Sequence, residues 1–206
     1  MITSSVHSGS EYQVVPKPQP GRPAAATREQ ALERAQRWLM AGQRVDVRAL
    51  ARDLGVGRTT LYEWFGSRER LIGEAFALAA RTTVRAIRDR VESTGAQAVL
   101  DTLRRYDRIV VRHAGITALL RADPFGTIRI VTDPAGASHR AHLEIFERLI
   151  SDEVNAGAYT PPIAPSTLAY ALVLLGEHAI FIEAQRLEPD LERLAVVQAH
   201  LLGVDP

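Results

Sequence analysis

Two groups of residues in this chain could do chemistry. The first is a set of histidines. His139 and His142 stand three residues apart, on one face of any helix that carries them. His113 and His178 fall in the same half of the chain. Such a pair begins a metal site or a general base. Completing one takes a further ligand at metal-site spacing, such as a His-Glu-x-x-His run or a Cys pair, and neither is present. The 206 residues include no cysteine, which excludes disulfides and thiolate chemistry and fits a reducing cytoplasm. There is no Gly-rich phosphate loop, nucleophile elbow or paired-carboxylate motif. The histidines therefore read as polar groups lining a pocket or satisfied in a core. No metal or cofactor is called for, and an enzyme using His142 is kept only as an alternative.

The second group is the run Val47-Arg48-Ala49-Leu50-Ala51-Arg52-Asp53-Leu54-Gly55-Val56-Gly57-Arg58-Thr59-Thr60-Leu61-Tyr62-Glu63-Trp64-Phe65. It reads as a helix, a tight glycine turn and a second helix. Ala51 is small where two helices must approach. Gly55 supplies the positive φ that the turn needs. Val56 and Leu61 fill the space between the helices. The second helix is then free to enter a DNA major groove. Charge agrees with this assignment. Residues 1–90 hold 15 Lys and Arg against 9 Asp and Glu, whereas residues 91–206 hold 10 against 15. A basic front and an acidic back point to a polyanion partner for the front alone.

The elements that must position this motif can be read outward from it. Thr27 and Gln30 have the spacing of a capping box, and Ala31, Ala35, Trp38 and Leu39 recur at helical spacing up to Gly42. Asp46 caps the second helix, and residues 58–65 make the third. Ser67 caps a long fourth helix expected to run to about Glu92 and to be closed by Gly95. Further helices are expected over 96–113, 115–121, 125–132, 137–154, 166–187 and from Pro189 to Leu202. Residues 1–26, with Pro16, Pro18, Pro20 and Pro23, read as a flexible arm in which Lys17 and Arg22 could follow a groove. No run of about 18 consecutive apolar residues occurs, so no membrane span is expected, and the polar N-terminus lacks a signal-peptide core. The fold class is all-α. A three-helix DNA-binding domain over 27–72 is followed by a larger helical domain over 73–206.

Residues 28–75 closely resemble the DNA-binding domain of the tetracycline-repressor (TetR) family. The resemblance rests on Leu50-Ala51 through Gly55-Val56, Thr60-Leu61-Tyr62, Phe65, and Ser67-Arg68-Glu69-Arg70-Leu71. It implies roles position by position. Thr60 would meet a phosphate, Tyr62 would sit against the DNA backbone or a thymine methyl, and Arg58 and Thr59 would face base edges. Arg58 could fork onto guanine O6 and N7. Arg48 would reach a base or phosphate, and Arg68 would clamp phosphate at the start of the fourth helix, where the helix dipole adds to its charge. Thr27 and Arg28 would touch phosphate. Trp64 is expected partly exposed beside the DNA, and Phe65 in the core. Three positions depart from the family pattern. Gly57 stands where Ser or Thr is common, which weakens a cap. Glu63 puts a carboxylate near phosphates. Gly66 stands where Pro or Lys is usual, which is expected to loosen the link to the fourth helix.

The resemblance further implies a homodimer on a palindromic double-stranded operator and a small-molecule effector bound in the C-terminal domain. Tyr106, Val110, His113, Leu119, Phe125, Ile128, His142, Phe146 and His178 are the candidate effector-binding residues. They are mostly apolar with a few hydrogen-bonding groups, which suits an amphipathic ligand. The helices at 137–154 and 166–187 are the candidate dimer interface, with Leu168, Leu172, Leu175, Ala179 and Ile182 facing into a four-helix bundle. The implied activity is that of a ligand-responsive repressor. An activator, or a DNA-binding protein of the same fold controlled by a protein partner, is the alternative.

Overall fold

A computed structural model describes residues 26–185 and 187–204. The N-terminal arm, with Lys17 and Arg22, lies outside the described residues apart from Ala26. The described residues form ten helices and no strand: α1 (Arg28–Met40), α2 (Val47–Leu54), α3 (Arg58–Phe65), α4 (Arg68–Arg88), α5 (Gly95–Arg112), α6 (Ala114–Ala122), α7 (Pro124–Thr132), α8 (Ala137–Asn155), α9 (Pro165–Ala184) and α10 (Leu191–Leu202).

Local chemistry sets the N-terminal helices. Thr27 Oγ1 accepts from the Gln30 N–H while Gln30 Oε1 accepts from the Thr27 N–H, which closes the capping box. Asp46 accepts from the Ala49 N–H at 2.8 Å, and Ser67 from the Arg70 N–H at 3.1 Å. Gly55 ends α2 at φ 67°, the left-handed cap that a side chain resists. Ala31, Ala35, Leu39, Leu50, Leu61 and Phe65 then close a small core with the first turns of α4. These elements will be called the head.

The other helices, here called the body, close a second core around Val99, Leu103, Phe146, Ile150, Leu168 and Leu172. α4 belongs to both: Leu71, Ile72 and Phe76 lie in the first core, and Ala80, Val84 and Ile87 in the second. The head core also takes in Val131 of α7, with Ile116 and Leu119 of α6 packed against it. Head and body thus share apolar contacts beyond the one helix that joins them.

Two expectations need correction. α4 stops at Arg88, with Asp89 as its C-cap, well before Glu92. The Arg88 guanidinium bonds to the Val91 carbonyl and to the buried carboxylate of Glu153, which holds the chain in a turn. Gly95 does not close α4 but opens α5. Its N–H donates to Glu153 Oε2 at 2.7 Å, and a Cβ there would lie 2.4 Å from the Ala158 carbonyl oxygen. Gly66 takes φ 75° in the tight bend between α3 and α4, where glycine fits best.

By length and composition α9 is apolar enough to cross a membrane, although no 18-residue run is wholly apolar. Within the fold this helix has two apolar faces. Leu168, Leu172 and Ala179 are buried inside the chain's own core, while Tyr170, Leu174 and Phe181 lie on the surface. Part of the expected interface stripe is corrected accordingly: Leu168 and Leu172, with no exposed area in one chain, cannot meet a second, whereas Leu175 and Ile182 are half-buried.

Candidate nucleic-acid interface and effector cavity

α3 is a short helix whose inner face is fixed by Leu61 and Phe65, both nearly inaccessible. That anchoring turns Arg58, Thr59, Tyr62 and Glu63 outward and leaves Thr60 and Trp64 half-buried at the edges. Gly57 caps α3 with no side-chain bond, which leaves its first N–H groups open. Arg48, in the first turn of α2, is exposed as well. The surface around α3 therefore offers two guanidinium groups, two hydroxyl groups and a phenol, with the Glu63 carboxylate among them.

Two basic residues at the rim serve the structure. Arg28 Nη2 reaches both carboxylate oxygens of Glu74, at 2.7 and 2.6 Å. Its Nε donates to the Trp64 carbonyl at 3.2 Å, and its guanidinium carbon sits 4.6 Å from the Phe65 ring centroid. The Arg28 side chain thus clamps α1, α3 and α4 together, and what it offers an anion is its N–H in the first turn of α1 beside Thr27. Arg68 spends its Nε on the Val45 carbonyl at 2.8 Å, leaving the outer nitrogens of its fork. Sequence reasoning had no signal for these roles, because Glu74 lies 46 residues from Arg28.

In the body, Tyr106, Val110, His113 and His142 come together on one cavity of about 50 Å³. Phe146 lines an adjoining lobe of about 30 Å³ that shares Tyr106, Val110, Val131, His142 and Ile180 with the first. Four other candidates are not brought there. Phe125 is 84% exposed at the start of α7. Leu119 packs against the head core. Ile128 is half-buried away from both lobes, and the exposed His178 stacks on Phe181 at the surface of α9. The sequence reading missed Ser138 of α8 and the opposite wall: Met40 of α1, and Phe76, Ala79, Ala80 and Thr83 of α4. Small residues at helical spacing in α4 were the one clue to it.

The cavity's polar groups are ordered by hydrogen bonds. His142 Nδ1 is 2.8 Å from the Ser138 carbonyl, which only accepts, so Nδ1 carries the proton. Burial disfavours a charged ring and pushes the His142 pKa down, so Nε2 is an acceptor and takes the Tyr106 hydroxyl at 2.7 Å. The same burial pushes the Tyr106 phenol up. Beneath them Asp107, raised to about 6 by burial, accepts from Gln198 Nε2 at 2.8 Å. His139 pairs with Glu177 at 2.6 Å, and burial raises the Glu177 carboxyl. No group of three potential metal ligands occurs among the described residues.

Comparison with known proteins agrees with this arrangement. Residues 94–203, more than half of the chain, match the tetracyclin repressor-like C-terminal domain. The structure is similar to that of the transcriptional repressor QsdR of R. erythropolis, from the TetR family, with a TM-score of 0.80 and 29% identity over 87% of this chain and 95% of that one. It is also similar to FadR of Bacillus subtilis in complex with stearoyl-CoA, with a TM-score of 0.50 over 87% of this chain and 100% of that one. At 10% identity that likeness concerns the fold alone. No curated protein sequence matches the chain. The helix-turn-helix head, the helical body and the match over 94–203 make this chain a member of the tetracycline-repressor family of transcriptional regulators.

Proposed function

We propose that the chain is a repressor that binds a palindromic operator as a homodimer and lets go when a small amphipathic molecule enters the body. The observation that carries this reading is the composition of the cavity wall. One side is α5 and α8, and the other is Met40 of α1 and Phe76 to Thr83 of α4, which are parts of the head or continuous with it. A ligand larger than the cavity must move those helices, and the position of α3 moves with them. QsdR, similar along nearly its whole length, is a transcriptional repressor, which supports the direction of regulation.

Dimerisation gives the two recognition helices a fixed separation, about 34–36 Å or a multiple of it on B-DNA. The exposed stripe of Tyr170, Leu174, His178 and Phe181 on α9 is the surface assigned to it. Repetition every three to four residues along one helix face suits packing about a two-fold axis. Such a protein works in the compartment that holds the DNA.

The test is selection of bound sites from random double-stranded DNA by the purified full chain at near-physiological salt. An enriched inverted repeat is the expected result. Enrichment of a single half-site would remove the dimer, and binding without enrichment would remove the operator reading altogether.

A further inference from the structure

A polar group beside the two lobes is buried and unspent. Ser138 is fully buried, lines the larger lobe, and its hydroxyl has no hydrogen-bond partner in the protein. A buried hydroxyl without a partner is costly, and one on a residue that lines a cavity comes within a ligand's reach once the surrounding helices part. His113 lines the same lobe. His113 Nδ1 accepts the Gly115 N–H at 3.1 Å, so the neutral ring carries its proton on Nε2. The Tyr106 proton, by contrast, is committed to His142 Nε2. The lining therefore combines the Ser138, Thr83 and Thr127 hydroxyl groups and the His113 imidazole with a mostly apolar surface.

Charge narrows the choice. Among the described residues no Lys or Arg lines either lobe, and the larger has no charged side chain at all. The charged groups at the smaller lobe are the carboxylates Asp107 and Glu177, already engaged by Gln198 and His139. A buried anion would meet no counter-charge, and burying an unpaired charge costs far more than a hydrogen bond returns.

We propose that the effector is an uncharged amphiphile with a carbonyl or similar acceptor, bound by the Ser138 hydroxyl with its hydrocarbon part between Phe76, Val110 and Val131, and that carboxylate amphiphiles are excluded. This rests on reading the body as a sensor and specifies what it senses. The cavity of about 50 Å³ holds only a few atoms as it stands, so the hydrocarbon part gains its place by parting α4 from α5 and α8.

The experiment is calorimetric titration of the full chain at neutral pH with alkan-2-ones from butanone to decan-2-one, and with alkanoates and alkylammonium ions of matched length. Toluene serves as a probe with no carbonyl. The expected result is ketone binding at least roughly tenfold tighter than either ion of the same length. In Ser138→Ala, ketone affinity falls by roughly five- to tenfold while toluene affinity stays unchanged. An alkanoate or alkylammonium ion that matches the ketone overturns the inference. So does a Ser138→Ala variant with full ketone affinity, or a chain that binds none of the ketones. Operator release is read separately in a gel shift. A ketone that binds without releasing DNA removes the repressor reading and leaves this one standing, whereas release by an alkanoate does the reverse.

Discussion

Gly115, in the first turn of α6, lies against the carbonyl of Leu39 at the end of α1: a Cβ on Gly115 would stand 2.4 Å from that oxygen and 3.0 Å from the Gly42 nitrogen. The head is seated on the body by backbone touching backbone. Gly115→Ala must force these apart, at an expected cost of about 1–3 kcal/mol, the usual range for overpacking. Thermal melting should show the loss, and operator affinity should change with it. Unchanged melting and affinity would mean that the contact holds nothing.

The Arg28 clamp makes a prediction that separates architecture from DNA contact. If the guanidinium is committed to Glu74 and Trp64, Arg28→Gln lowers the melting temperature and weakens all operators. The slope of log affinity against log salt stays as it was. A slope reduced by about one would return Arg28 to the phosphate contacts. Glu74→Gln should lower stability by about 1 kcal/mol or less, because the pair is partly exposed.

Arg58 and Arg68 should behave differently from each other. Arg58→Ala is expected to relax preference at one base step by about 1–3 kcal/mol, visible in site selection as loss of one position. Arg68→Ala is expected to weaken every sequence alike and to flatten the salt slope by about one unit. Exchange of these two phenotypes would mean that α3 enters the groove in another orientation.

Asp107 gives the body a pH dependence. Its carboxyl is raised to about 6 in the folded chain, by burial, against an ordinary value near 3.8. Between those values the folded state binds more protons than the unfolded one, so stability falls as pH rises from about 4 to about 6. Asp107→Asn keeps an acceptor for Gln198 and removes the charge. It should abolish that decline and raise stability at neutral pH by up to about 2–3 kcal/mol. Denaturant melts across this pH range decide it, and an unaltered decline would place its origin elsewhere.

The dimer surface is tested by Leu174→Glu. The residue is 44% exposed, so the substitution should spare the fold of one chain while placing like charges across the two-fold axis. Sedimentation should show a monomer, with operator affinity reduced at least tenfold. A dimer that persists would point to another face.

Legibility in the sequence followed the range of the physics. The head could be read because its signals are local: Thr27 with Gln30, Asp46, Gly55 and Ser67 each act within a few residues. α9 could not be oriented for the opposite reason. It is apolar on both faces, so Leu168 and Leu172 gave the same periodic signal as Tyr170 and Leu174. Gly95 misled because one left-handed glycine looks alike behind one helix and before the next. Half of the cavity was legible from α5 and α8. The wall built by Met40 and Phe76 belongs to the head in sequence and meets the body only in space.

That shared wall has a thermodynamic corollary. Binding free energies around a closed cycle must balance, so the factor by which an occupant at Met40 and Phe76 weakens the grip on DNA is also the factor by which DNA weakens the grip on the occupant. Copies free in solution would then fill before copies on an operator. A rising supply of the small molecule would first drain the reserve that could rebind, and only later dislodge the copy in place.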